Sequence, residues 1–405
     1  MKTRTILLTA ALALAGAGLT SAAEKKETAL TPAARSNAIA FKFYAKEAVK
    51  PGNQFFSPYS LHTAFAMAYE GAKGPTAREI AAVFSFPPEQ DKLRSGLGAL
   101  GKELKQAARG AAFSQANSFW AQEGYRFLPA YTGLLTKHYN AEARSANFKT
   151  APEVSRRAVN AWTEERTKGK IKDLFKEGTF TPLTRLVLVN AVYFKGSWVQ
   201  PFAKAMTGEA EFTKTDGQKI KVQMMTFSGT QTLQYGETGA FQLLRLPYSG
   251  GGLSMLLALP KDGKKLEDAA KDLDPAALEE MRAALAEQKV KVFLPRFTFS
   301  AGYDLNAALA ALGMPLAFTD AADFSGMDGT RSLYIQRAVH KAFVEVNEEG
   351  TEAAAATGIA VGLKSANFGF TLFRADRPFL FFIEDSKSGL LLFMGKMEDP
   401  AAGDK

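Results

Sequence analysis

Three histidines, His62, His138 and His340, are the whole imidazole supply of this 405-residue chain, and it contains no cysteine. A serine hydrolase needs one histidine beside a hydroxyl nucleophile and an acid. No G-x-S-x-G elbow supplies that nucleophile, and no H-E-x-x-H pair, P-loop or strand-linked G-x-G-x-x-G is present. The absence of cysteine excludes thiol chemistry and zinc–thiolate sites. His62 reads as a helix-face residue rather than a ligand. These residues point away from an enzyme, with no cofactor and no metal. The feature that stands out is a segment rather than a constellation. Residues 350–376 begin rich in Ala and Thr, carry no strong periodicity and lie between two strand-like stretches. An irregular connection of that length inside a compact domain is usually functional or disordered.

The elements that would hold such a segment read as follows. Apolar spacing and a Thr31-Pro32 cap predict a helix over 31–50, and Ser57-Pro58 opens a second to Gly71. Further helices are expected at 76–83, 90–109, 129–138, 153–167 and 266–287. Strands are expected at 185–194, 209–212, 219–225, 241–246, 253–259, 289–299, 335–347, 379–384 and 390–396. Helices come first and strands dominate later, which favours an α+β fold over a doubly wound one. Composition is ordinary for a globular protein, 46% hydrophobic and 22% charged.

The first residues have a separate logic. Lys2 and Arg4 precede an apolar, Ala-rich run over 6–19, and Ser21-Ala22-Ala23 offers small residues for cleavage. This pattern predicts a secretory signal peptide over 1–23 and a single domain over 24–405. The run is too short and too rich in Ala and Gly to span a bilayer comfortably. The expected location is extracellular or periplasmic, with no membrane partner. The formal net charge is +9. Lys92, Arg94, Lys102, Lys105 and Arg109 fall on one helical stretch, a weak pointer to a polyanion. Aromatics do not interleave with these cations, so nucleic acid is not expected.

Seven blocks then carry a resemblance. They are NQFFSPYSLHTAFAMAYEGAKGPT at 53–76, VNAWTEERTKGKIKDL at 159–174, LVLVNAVYFKGSWVQPF at 186–202 and LPYSGGGLSMLLALP at 246–260. LPRFTFSAGYDLNAALAALGMPLAF at 294–318, NEEGTEAAAATG at 347–358 and RPFLFFIEDSKSGLLLFMGKMED at 377–399 complete the set. In order and spacing the chain resembles the serpins. The resemblance implies three β-sheets, eight or nine helices, a monomer and an exposed reactive-centre loop. It implies suicide inhibition of a serine protease, in which the cleaved loop inserts as a strand into sheet A. The alternative is a non-inhibitory member acting as carrier, chaperone or binding protein.

The hinge suits insertion. Strand side chains alternate between faces, so Thr351, Ala353, Ala355, Thr357 and Ile359 would point into the core. Glu352, Ala354, Ala356 and Gly358 would point outward, and the only charge, Glu352, then faces solvent. No proline follows Gly350 to interrupt the ladder, and the small inward residues can enter without overpacking. Non-inhibitory relatives tend to place bulky, charged or proline residues at these inward positions. In the family the scissile bond lies about fourteen residues past the hinge glycine, which gives Lys364–Ser365. Lysine suits a trypsin-like pocket with an acidic floor; cleavage after Leu363 is the competing position. The resemblance also places Ser57, Ser60, Asn190 and His340 at the shutter beneath the sheet. It places Trp198, Arg296 and Glu348 at the breach, where insertion begins.

Overall fold

The computed structural model describes residues 30–350 and 369–403. The helices are α1 (Pro32–Glu47), α2 (Pro58–Gly71), α3 (Gly74–Phe84), α4 (Gln90–Ala107) and α5 (Pro129–Leu134). They continue as α6 (Pro152–Arg166), α7 (Leu266–Ala269), α8 (Pro275–Ala283), α9 (Leu305–Ala311) and α10 (Ser325–Asp328). The first strands are β1 (Gln54–Phe56), β2 (Ala111–Gln122), β3 (Glu142–Ala146), β4 (Leu186–Gly196), β5 (Gly208–Thr213), β6 (Lys219–Thr226), β7 (Gln231–Glu237) and β8 (Phe241–Pro247). The rest are β9 (Leu253–Pro260), β10 (Ala286–Pro295), β11 (Phe297–Asp304), β12 (Arg337–Val346), β13 (Thr371–Arg374), β14 (Phe379–Asp385) and β15 (Leu391–Met397). The mixture is the expected α+β architecture.

Helix α2 organises the interior. The Ser57 hydroxyl accepts the Ser60 N–H at its N-terminus, Pro58 occupies the first turn, and every residue of the helix is buried. A helix with no wet face must be surrounded, and α2 lies against α1, β4 and β15. A five-stranded sheet runs β11-β12-β4-β2-β3. At its centre β12 and β4 pair in parallel from Arg337↔Val187 to Phe343↔Tyr193. Alternation sorts their side chains between two cores. Leu188, Val192, Phe194, Ala338, Ala342 and Val344 join the large cluster around α2. Val187, Val189, Ala191, Tyr193 and Phe343 face a smaller one, with Trp162 of α6 and Phe175.

The remaining strands form one ladder, β1-β15-β14-β9-β8-β7-β10-β6-β5, with β13 also on β10. The second and third of the three expected sheets are thus joined. The cause is the length of β10: Ala286–Val290 pairs β7 while Phe293–Pro295 pairs β6.

Two sequence expectations need correction. The helix expected over 266–287 is two short helices. Asp274 caps a new start, its carboxylate accepting the Ala277 N–H, with Pro275 in the first turn. The strand expected over 289–299 is cut at Arg296, where the chain passes from the large ladder into the five-stranded sheet.

Candidate functional site: the seam between β12 and β4

The four predicted shutter residues are brought together, and all are fully buried. The Ser57 N–H donates to His340 Nε2 at 3.0 Å, so that nitrogen is the acceptor. His340 Nδ1 therefore carries the proton and donates to Asn190 Oδ1 at 2.5 Å. Asn190 in turn donates to the Ser60 hydroxyl (2.6 Å) and to Asn117 Oδ1 (2.5 Å). His340 touches the backbone of Ser57, not its hydroxyl, so the pair is not a nucleophile and its base. Burial lowers the His340 pKa to about 3, only partly offset by its bond to Asn190. The imidazole is neutral in the native protein. Because His340 and Asn190 sit opposite each other in the register, their bond is a clasp across the β12–β4 seam.

Sequence reading missed two members of this network. Asn117 lies on β2, directly opposite Asn190. Tyr303 of β11 stacks over His340, ring centroids 6.1 Å apart, while its hydroxyl accepts the Phe55 N–H. Neither has a sequence signal of its own.

Above Phe343 and Tyr193 the register between β12 and β4 ends, and the predicted breach residues fill the opening. Trp198 Nε1 donates to the Asn347 carbonyl at 3.0 Å, and its ring stacks on Tyr248 at 4.5 Å. The Glu348 carboxylate, 1% exposed as a residue, is held by Arg296 and by the Thr207 hydroxyl. Burial alone would raise its pKa. The bonds from Arg296 and Thr207 outweigh that effect and hold it below the ordinary carboxylate value. The sequence suggested a pair of small worth if exposed; one partner is in fact sealed.

The chain reverses at this point. Asn347 and Gly350 exchange backbone hydrogen bonds (2.8 and 3.3 Å), and Gly350 forms an antiparallel bridge with Ser197. Gly350 has φ +145°, and a Cβ there would stand 2.0 Å from the Gly196 carbonyl oxygen. Only glycine fits. The other hinge residues, Thr351, Glu352, Ala353, Ala354, Ala355, Ala356 and Thr357, lie outside the described residues, as do Lys364 and Ser365.

The cation stripe on α4 is smaller than the sequence suggested. Arg94 turns inward and grips buried Glu70 with two bonds, 2.8 and 2.7 Å. Lys92 pairs with Glu89. Lys102, Lys105 and Arg109 stay exposed. Among the described residues no helix is long and apolar enough to cross a membrane.

Comparison with known proteins agrees with the fold. A family model described as serpin (serine protease inhibitor) matches residues 34–400. An uncharacterised serpin-like protein of Thermococcus kodakarensis is 40% identical over 371 residues, 91% of this chain and 85% of that protein. Leukocyte elastase inhibitor of Bos taurus is 38% identical over 359 residues, covering 86% and 93%. The crystal structure of uncleaved ovalbumin superposes with a TM-score of 0.83 at 30% identity, over 92% of this chain and 100% of that one.

Proposed function

The chain belongs to the serpin family, and on that premise we propose that it is an irreversible inhibitor of serine proteases that traps its target by threading residues 351–359 between β12 and β4. One observation carries the reading: Gly350 already bridges Ser197 on one side and Asn347 on the other. The chain has turned back toward the seam before any cleavage. A strand continuing from there runs antiparallel to both neighbours. It would replace one parallel pairing with two antiparallel ones, the slightly more stable arrangement.

Extending the two bridges residue by residue gives a register. Ala353 falls between Phe194 and Val344, Ala355 between Val192 and Ala342, and Ile359 between Leu188 and Ala338. All six neighbours belong to the large core, which supports the inward assignment. Glu352 falls between exposed Lys195 and half-buried Glu345. The outward face is wettest there; further along, Ala356 also meets half-buried Lys341. Ala354 falls between Tyr193 and Phe343 of the smaller cluster, so small residues suit both faces. Thr357 falls between Asn190 and His340. Insertion would open their clasp and place a hydroxyl, both donor and acceptor, between the separated partners.

The energy suffices. A strand of this length adds on the order of ten to twenty ladder hydrogen bonds at about 0.5–1.5 kcal/mol each. That is comparable with the whole stability of a domain, about 5–15 kcal/mol. Distorting a tethered protease enough to lose its oxyanion hole slows deacylation by roughly 10²–10³-fold.

The bait in this reading is Lys364–Ser365 and the target a trypsin-like enzyme met outside the cytoplasm, after removal of residues 1–23. The inhibitor acts as a monomer without cofactor or metal, and any polyanion contact falls to Lys102, Lys105 and Arg109. Incubation with trypsin should give a complex that survives SDS, with release of a fragment beginning at Ser365. Simple cleavage without a complex would favour a carrier or chaperone role. Thr351→Arg puts a charge at the first inward position and should convert the inhibitor into a substrate; an undiminished complex would overturn the face assignment.

A further inference from the structure

His62 stands apart from the shutter although it lies on the same helix, two residues beyond Ser60. It is 1% exposed, and neither ring nitrogen has a hydrogen-bond partner among the described residues. Its ring meets Phe86 edge-on at 4.8 Å and Phe84 at 6.4 Å, which satisfies its faces but not its nitrogens. Leaving a buried donor or acceptor unpaired costs about 1–3 kcal/mol, so an orphaned imidazole calls for an explanation.

The imidazole borders a pocket of about 190 Å³ between α1, α2 and α4. Pro32, Leu93 and Leu97 give it an apolar wall, and Arg35 and Lys92 stand on its lining. The Arg35 guanidinium is steadied by a 2.9 Å bond to the Ser85 carbonyl. Among the described residues Lys92 pairs only with exposed Glu89, an interaction that is cheap to exchange. An apolar cavity of about 150 Å³ is enough to hold benzene. The pocket therefore offers room for one ring, cationic groups and an unsatisfied hydrogen-bonding group.

We propose that this pocket binds a small aromatic carboxylate, its ring on the Leu93–Leu97 wall, its carboxylate between Arg35 and Lys92, with His62 supplying a hydrogen bond. Nothing in this assignment depends on loop insertion or on the protease. Occupancy would favour the folded chain over the unfolded one by mass action.

The test uses intact protein labelled with ¹⁵N, in which only three imidazoles need resolving, and sodium benzoate as the probe. Benzoate should shift one imidazole saturably, the signal missing in His62→Phe. Benzyl alcohol, the neutral counterpart, should bind about tenfold more weakly, and acetate should not bind. Leu97→Trp should fill the pocket and abolish the shift, and Lys92→Gln, at an exposed position, should weaken benzoate by a similar factor. Absence of a saturable shift on wild-type protein would overturn the site. Equal binding of benzyl alcohol, or no effect of Lys92→Gln, would overturn its charge preference.

Discussion

At the scale of single residues, the seam is closed by the bond between His340 and Asn190. Its strength depends on protonation. Burial lowers the pKa of both His340 and His62 to about 3, whereas an unfolded histidine titrates near 6.5. Above about pH 6.5 both states are neutral and the histidines add no pH dependence. As pH falls from about 6.5 toward 3 the unfolded chain binds protons that the native one refuses. Native stability should then fall by roughly 1.4 kcal/mol per pH unit for each histidine. Urea midpoints should be level between pH 8 and 7 and decline from pH 6.5 to 5, where carboxylates such as Glu348 are still ionised. A flat profile across that window would mean the imidazoles are not sealed. Asn190→Ala removes the clasp and leaves the His340 N–H unpaired, at a cost of about 1–3 kcal/mol in urea unfolding.

At the scale of elements, the Asn347–Gly350 turn aims the chain. Gly350→Ala would force a Cβ onto the Gly196 carbonyl. The turn should shift, at about 1–3 kcal/mol of backbone strain, measurable as a lower urea midpoint of the uncleaved protein. An unchanged midpoint would mean the turn is not fixed by that contact. This scale also shows what the sequence carried. The helices with clear caps, such as α2 behind Ser57-Pro58, were legible, because Ser and Pro act locally. The shutter and breach followed from resemblance, and the structure brings both sets together. Strand β2 was not legible: its run AAFSQANSFWAQ holds four Ala and no β-branched residue, a poor strand composition. It is a strand because β4 and β3 flank it, a long-range cause with no local mark. Asn117 was missed with it. The corrected helix at 266–287 has a local reason, the Asp274-Pro275 start, that helical periodicity concealed.

At the scale of the whole molecule, the native fold holds a parallel seam with a chain turned back toward it. Clipping the loop should therefore raise stability rather than lower it. Protein cut at Lys364–Ser365 should resist heat far better than the intact form, and a clipped form with an unchanged melting temperature would count against stored strain. The most direct measurement is the crystal structure of that clipped protein. The expected result is a six-stranded sheet with Thr357 lying between Asn190 and His340. A sheet still of five strands, its His340–Asn190 bond intact and residues 351–359 free of it, would contradict the proposed mechanism.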